Sequence, residues 1–577
     1  MHASVTMDRD AASAQDRATA RPWLSAYPPG MPADIAVADL RTLSDLYTHS
    51  IAAFADRLAA TCFGSDLSYA DLGRQARALA ASLQADGVGK GDRVAIMLPN
   101  IPSYMVSIVA VHLAGAVVVN VNPLYTSREM AAQIGDSGAR VLIVLENFAH
   151  TVAGALGEID LRRVIVAGPG DGLGAKGQAI NLASRHLRKA VPPFTLPPGL
   201  AVRFAAALKT RAPLRPVPVA PDDLAFLQYT GGTTGVAKAA MLTHRNVAAN
   251  VEQCVTWFDA TDTGRRRITV TALPLYHIFA LTACFLFSVR TGGSCLLIPN
   301  PRDCDGFVKT LSRVRFTGLA GVNTLFNMLV NHPKIGTVDF SALDFVIGGG
   351  TAVQSAVAAR WKALTGHAIV EGYGLSETSP VLCANLRTLP DFSGTIGYPL
   401  PSTLVSIRDA ENRPVPPGER GELCAKGPQV MPGYWNRADE TAQVMTADGY
   451  FRTGDVAVMD AAGQVRIVDR LKDMILVSGF NVYPNEVEDV IASHPGVLEC
   501  AVVGTPHAET GEMVVAHVVL KDASVSADAL RAYARTQLTG YKVPKAVVLH
   551  EALPKTNVGK VLRRVLRDEA PPPEGAT

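Results

Sequence analysis

The chain has 577 residues, too many for one ordinary hydrophobic core; at about 150 residues per domain it divides into about three or four folding units. Its 48% apolar content can fill them, and 54 basic against 52 acidic residues leave a formal charge of +2. That balance excludes a nucleic-acid binder working through overall charge and confines anion recognition to local sites. The eight cysteines are scattered, with no C-x-x-C pair and no histidine at metal-ligand spacing, so neither a disulfide framework nor a zinc site is expected. Such cysteine usage suits a reducing cytoplasm.

Residues 1–22 read as a disordered tail: Asp8, Asp10 and Asp16 sit among Ala, Ser and Arg, and the apolar core of a signal peptide is missing. Beyond it, β-branched runs at Arg93–Met97, Ala116–Val121, Val141–Val144 and Val164–Val166 alternate with Ala-rich amphipathic stretches. This spacing predicts an α/β fold with largely parallel strands. Tyr104–Asn122 approaches membrane-span length, but His112 and Gly115 interrupt it and Pro102 and Pro123 flank it, which predicts a buried helix followed by a strand. The chain is therefore expected to be soluble or peripheral. Arg185–Ala220 is Pro-rich and carries Arg185, Arg188, Lys189, Arg203, Lys209, Arg211 and Arg215 with no acidic residue. It reads either as a solvated connector or as a basic surface for anionic lipid headgroups, each charge contributing about 1 kcal/mol.

Leu224–Tyr229 is a short apolar run that predicts a buried strand, and Tyr229-Thr-Gly-Gly-Thr-Thr-Gly-Val-Ala-Lys238 follows from it. Gly231, Gly232 and Gly235 free the backbone to turn N–H groups toward an anion, while Thr230, Thr233 and Thr234 add hydroxyl donors. Lys238 supplies a positive charge that offsets the repulsion between a polyphosphate and an approaching carboxylate. The pattern G-x-x-x-x-G-K-S/T does not fit, because Ala237 precedes the lysine and Ala239 follows it. A second strand is expected over Ala239–Thr243, with a helix starting near Thr243 or His244. Further on, Gln464–Val468, the charged Asp469-Arg-Leu-Lys-Asp473 and the apolar Met474–Val477 mark a domain boundary. The last hundred or so residues read as a small α+β unit, and Ala570–Thr577 as a Pro-rich tail.

The glycine–threonine loop resembles the signature loop of the adenylate-forming superfamily of acyl-CoA synthetases, luciferases and peptide-synthetase adenylation domains. Further matching segments follow in the family's order: Leu273-Pro-Leu-Tyr-His277, Gly348-Gly-Gly350, Glu371-Gly-Tyr-Gly-Leu-Ser-Glu377, Tyr450-Phe-Arg-Thr-Gly-Asp455 and Leu553-Pro-Lys-Thr-Asn-Val-Gly-Lys560. The stretch from Gly449 to Glu488, with NVNPLYT, PLYHIFAL, NPRD, GVNTLFN and LTGYKVPK, is most similar to the bacterial long-chain fatty acyl-CoA synthetases. Ala239 departs from the glycine usual in that group; if the position demands a positive φ, its Cβ costs roughly 1 kcal/mol.

The resemblance implies a large N-terminal domain of several α/β subdomains over 23–469, a hinge at 470–473 and a small mobile lid over 474–569. It also implies a reaction in two halves, in which a fatty carboxylate attacks the α-phosphate of ATP and the CoA thiol then displaces AMP. Glu377, with Thr233, resembles the magnesium site, and Mg²⁺ requires hard oxygen ligands. Tyr229, Thr230, Gly348, Gly349, Gly350, Glu371, Gly374 and Ser376 match the nucleotide-binding segments. Tyr373 resembles the adenine platform, Asp455 the acceptor of both ribose hydroxyls and Arg470 a ribose and phosphate contact. Lys472 matches the hinge position, and Lys560 the lysine that reaches the carboxylate and α-phosphate during adenylation alone. His277 resembles a histidine bordering the acyl and CoA channels; a base is not required, since the fatty carboxylate is already ionised. Gly479, beside Ser478, resembles the glycine that opens the pantetheine tunnel.

Three functions stand against one another at this point. The first is an ATP- and Mg²⁺-dependent ligase of long-chain fatty acids and CoA. The second is a fatty acyl-AMP ligase serving a carrier protein, or a synthetase for medium-chain or aryl acids. The third is a silent nucleotide or lipid binder, against which Lys238, Glu377, Asp455, Arg470 and Lys560 argue together. The resemblance also implies cytoplasmic residence with peripheral contact to an inner membrane; a homodimer stays open.

Overall fold

The computed structural model describes residues 21–230, 237–258, 266–507, 509–556 and 559–569. The described residues begin inside the expected tail. Arg21 pairs with Asp34 at 2.9 Å, and Pro22 opens the turn Pro22–Ala26, which buries Trp23 against Gly463. Residues 570–577 lie outside the described residues.

Two large sheets form the N-terminal domain. The first has seven strands in the order Ala201–Arg203, Arg163–Ala167, Val141–Leu145, Arg93–Met97, Val117–Asn120, Leu224–Thr230 and Lys238–Thr243; the last pairs antiparallel and the rest are parallel. The strands expected from the β-branched runs are all in it. Pro102–Leu113 is a helix opened by its proline and buried from Pro102 to His112, followed by Val117–Asn120, so the near-span segment lies in the core. Among the described residues no helix is long and apolar enough to cross a membrane.

The second sheet has nine strands, with a parallel centre made of Ser294–Leu297, Ile268–Thr271, Gly318–Gly321, Phe345–Gly348 and Val370–Gly374. Parallel strands covered on both faces favour apolar residues; Ser294–Leu297 and Gly318–Gly321 are wholly buried, while Ile268, Phe345 and Tyr373 at the strand ends are half-buried. A four-stranded antiparallel sheet from Leu404–Arg408 to Val465–Arg470 then sets Asp455 directly opposite Arg470. The lid is a separate five-stranded sheet with helices Pro484–Ala492 and Ala527–Arg535 and its own apolar core, around Val487, Ile491, Val502 and Leu530. The whole is an α/β fold with a large N-terminal domain and a small C-terminal one.

Two readings left open by the sequence gain structural detail here. Ala239 sits in an extended strand, cross-strand from Tyr229 and buried, and it is not among the positive-φ residues. The strain argued for its Cβ is absent, because the loop's turn is completed before this position. In the basic segment, Arg185 and Arg203 both point inward onto the fully buried Glu146, at 2.7 and 2.8 Å. A carboxylate without water needs paired charge, and the two arginines provide it. Arg185 and Arg203 are thus committed to Glu146, although the Arg203 side chain stays about half exposed.

Candidate active site

The strand Leu224–Thr230 delivers Tyr229 and Thr230 to the end of the first sheet, and the return strand begins at Lys238, in register with Thr230. Thr243 caps the next helix, His244–Trp257, through a reciprocal pair with Asn246, which places the helix start where the sequence predicts it. Gly231, Gly232, Thr233, Thr234 and Gly235 lie outside the described residues. Tyr229 donates its hydroxyl to Asp136 at 2.7 Å. Lys238 pairs with Glu440 and stands 5.6 Å from the centre of the Tyr434 ring.

The second sheet supplies the facing wall. Its parallel strands end at Thr271, Gly321, Gly348 and Gly374, and the turns that follow carry His277, Gly349 and Gly350, and Ser376 with Glu377. A Cβ on Gly349 would come within 2.9 Å of the Gly372 carbonyl, and one on Gly374 within 1.8 Å of the Pro380 carbonyl, so glycine is a packing requirement at both. Ser376–Thr378 forms a single 3-10 turn that presents Glu377, whose buried carboxylate accepts the Tyr434 hydroxyl at 2.8 Å. Glu371 is also buried, with one oxygen on the Val353 N–H at 3.3 Å and the other unpartnered; burial raises its pKa to about 8.

Tyr373 donates its hydroxyl to Asp455 at 2.5 Å, and Arg470 approaches the other carboxylate oxygen at 3.2 Å. Burial raises the Asp455 pKa, against the pull of Arg470 and of Lys560. Lys560 comes from the lid, on a turn closed by Thr556 and Gly559. It shares a cavity of about 10 Å³, room for about one water, with Leu273, Pro274, His277, Phe279, Val322 and Gly350. Gly559, at φ +81°, lets this turn press onto Thr324, where an added Cβ would stand 2.5 Å from the hydroxyl. Burial, then Arg470, pulls the Lys560 pKa down to about 8, while Asp455 and Glu377 pull the other way.

His277 caps the turn Ile278–Ala280, its Nδ1 accepting from the Phe279 N–H at 3.3 Å, and burial holds its pKa down to about 3. It lines the wall of the cavity that Lys560 enters. Lys472 lies in the turn between Val465–Arg470 and Ile475–Val477. Asp469, before it, accepts the Asn485 N–H at the start of a lid helix, and Asp473, after it, pairs with Arg567 of the lid at 2.9 Å. Ser478 and Gly479 form the exposed tip of the hairpin Ile475–Val477 and Phe480–Val482. No atom stands within 4 Å of where a Cβ on Gly479 would be, so this structure does not bring them to the site.

The lid thus faces the N-terminal domain with Lys560 inward and Gly479 outward. Among the described residues the polar bonds that hold it there include Asn327 to the Leu498 carbonyl at 2.8 Å, Ser355 to Asp489 at 2.8 Å, Lys521 to Asn331 at 3.1 Å and Thr324 to the Gly559 carbonyl at 3.3 Å, besides the Asn485 N–H on Asp469.

A family model described as AMP-binding enzyme matches residues 47–435, and one described as AMP-binding enzyme C-terminal domain matches residues 486–560. The chain is a member of the AMP-binding enzyme family. This AMP-binding enzyme is 48% identical over 550 residues to the long-chain-fatty-acid–CoA ligase of Escherichia coli O6:H1, covering 95% of the chain and 98% of that protein. The ligase of the same name from Salmonella typhimurium is 49% identical at the same coverage. Among solved structures, ATP-bound MatB from Rhodopseudomonas palustris superposes with a TM-score of 0.78 at 31% identity, over 91% of this chain and 98% of that one.

The sequence left Tyr434, Glu440, Arg437 and Asp136 unremarked. Tyr434 reaches Glu377 because residues 433–435 run along the edge of Lys238–Thr243, with Met241 N–H on the Gly433 carbonyl at 3.0 Å and Trp435 N–H on the Ala239 carbonyl at 2.9 Å. Its signal is the Gly433-Tyr-Trp435 cluster between turn residues; the charged residues give none.

Proposed function

We propose that this AMP-binding enzyme joins long-chain fatty acids to CoA with ATP, through an acyl-adenylate. The observation that carries the proposal is that Lys560, reaching in from the lid, feels the charges of Arg470, Asp455 and Glu377 of the N-terminal domain, with Tyr373 hydrogen-bonded to that same Asp455. In the first half-reaction a carboxylate oxygen bonds to the α-phosphorus as the bond to pyrophosphate breaks. Both reactants are anions, so cations placed at the reacting oxygens are what the step requires. Lys560 meets the carboxylate and α-phosphate, Lys238 the departing phosphates and Arg470 the ribose side. Asp455, whose acceptor oxygens already hold Tyr373 and Arg470, takes the ribose hydroxyls, and Tyr373 lies against the base with Gly348, Gly349, Gly350, Gly374, Ser376 and Glu371 shaping the pocket.

The carboxylate of Glu377 suits Mg²⁺, which keeps waters and substrate phosphates as most of its ligands and needs one or two protein carboxylates. Among the described residues no group of three or more His, Cys, Asp or Glu side chains forms a dedicated cage, in keeping with a metal carried in by the nucleotide. Bound there, the ion would neutralise phosphate charge, with Thr233 its companion ligand.

In the second half-reaction the thiol sulfur bonds to the acyl carbon, its proton leaves, and the bond to AMP breaks. Gly479 and Ser478 belong to this half: a turn of the lid about residues 470–473, with Lys472 among them, exchanges the Lys560 face for the Gly479 face. The lid's own apolar core supports such a turn. Contact with an anionic lipid surface rests on Leu187, 83% exposed, and Leu182 beside the exposed Arg188 and Lys189.

Purified protein with ATP, Mg²⁺ and palmitate, with and without CoA, tests the proposal by following AMP and acyl-CoA by mass. CoA-dependent palmitoyl-CoA is expected. Adenylate without thioester would favour the carrier-protein ligase, and no turnover would overturn the proposal for this acid.

A further inference from the structure

Lys238 does not wait free at the phosphate loop. Its ammonium is paired with Glu440, in the first turn of the short helix Ala438–Val444, and lies over the Tyr434 ring. The pair is partly buried, with the lysine side chain 17% and the glutamate 29% exposed. Glu440 has a second cation within reach, Arg437 Nε at 3.6 Å, and Arg437 is itself held by Asp136 at 2.8 Å. Asp136 also accepts the Tyr229 hydroxyl at 2.7 Å, so one ionic chain ties both flanks of the phosphate loop to a helix outside it.

An ammonium that must meet polyphosphate has first to leave its carboxylate, and a partly buried carboxylate left alone is costly. Here the cost is lowered, because Arg437 can take up the charge that Lys238 gives away. We propose that Glu440 is a positioning residue that holds Lys238 in the absence of polyphosphate and releases it to ATP by a hand-over to Arg437. The same exchange, run backwards, favours pyrophosphate release, since Glu440 competes with the product for the lysine. The proposal rests on the reading of Lys238 as a polyphosphate ligand.

The full-length enzyme tests it through the KM for ATP, inhibition by pyrophosphate and the KM for palmitate. Glu440→Gln removes the competing charge and keeps the shape. It is expected to lower both the KM for ATP and the pyrophosphate inhibition constant by about threefold to tenfold, the effect of losing an ion pair of about 0.6 to 1.4 kcal/mol, while the KM for palmitate stays put. Arg437→Gln removes the alternative partner and is expected to raise the KM for ATP, a sign opposite to that of Glu440→Gln, whereas a merely structural network would move both the same way. The stabilisation of each variant by added ATP, read as a shift in melting temperature, gives a second measure of binding. An unchanged or raised KM for ATP in Glu440→Gln, a shift of the same sign in both variants, or a gain that persists when Lys238→Ala is added would overturn the hand-over. Lys238→Ala with wild-type KM for ATP and wild-type pyrophosphate inhibition would instead show that the underlying reading of Lys238 is wrong, and the proposal would go with it.

Discussion

Replacing Lys560 by arginine and by alanine separates its charge from its position. The protein lowers the lysine pKa from an ordinary 10.5 to about 8, chiefly by burial and next through Arg470. That difference corresponds to about 3 kcal/mol at about 1.4 kcal/mol per pH unit, the order of the cost of keeping the ammonium charged at this place. The sign follows: the folded-state pKa lies below the unfolded one, so the destabilisation is fully present below about pH 8 and is relieved as pH rises toward 10.5. Bound ATP and fatty carboxylate would offset it, because they bring negative charge to the ammonium. Adenylation needs the charged form, so kcat/KM for ATP in the first half-reaction is expected to fall as pH rises through about 8. Lys560→Arg should remove that fall, since a guanidinium stays charged. Lys560→Ala should cost about 10²- to 10³-fold in adenylation, the usual loss when one electrostatic stabiliser is deleted, and spare thioester formation from supplied palmitoyl-adenylate. Pyrophosphate release without CoA, measured between about pH 6 and 10, reads the first half, and acyl-CoA formation from the adenylate reads the second. An unchanged pH profile in Lys560→Arg, or equal loss of both halves in Lys560→Ala, would refute the reasoning.

Gly479→Leu adds bulk at an exposed hairpin tip with open space around it. Pyrophosphate release should survive, while CoA turnover falls at least about a hundredfold if the tip enters the CoA path; unaffected CoA turnover would contradict that placement. Asp455→Asn keeps the shape but leaves Arg470 without its carboxylate. The KM for ATP should rise by about tenfold to a hundredfold, checked by pyrophosphate release against ATP concentration. Ala239→Gly restores the residue common in the acyl-CoA synthetases, yet the position is a buried strand. The variant should lose about 0.5 to 1 kcal/mol in denaturant unfolding and gain no activity, and a gain in either would mean that the loop does strain this residue.

The strands of the parallel sheets were legible because burial on both faces forces unbroken β-branched runs, as at Val141–Leu145 and Arg163–Ala167. The near-span Tyr104–Asn122 was legible too, since proline, glycine and histidine fall where a helix must begin and end. Candidate site residues carried by short contiguous segments, such as Tyr373 with Glu377 or Asp455, could be named because those segments resemble the family's motifs in the family's order. Ala239 could not be judged from its neighbours, because whether it needs a positive φ depends on where the turn ends.

Sequence by itself therefore determined the α/β layering, which rests on local periodicity, and the order of the candidate-site segments with their polar residues, which rests on contiguous motifs that resemble a known family. Tertiary structure alone decided which charges are free and which are spent. Glu146 lies far along the chain from Arg203, and Glu440 far from Lys238, yet each carboxylate takes its cation because the fold brings distant segments together. It also decided that Lys560 faces inward while Gly479 faces out, a choice made by the docking of one domain on another and written in no single stretch of residues.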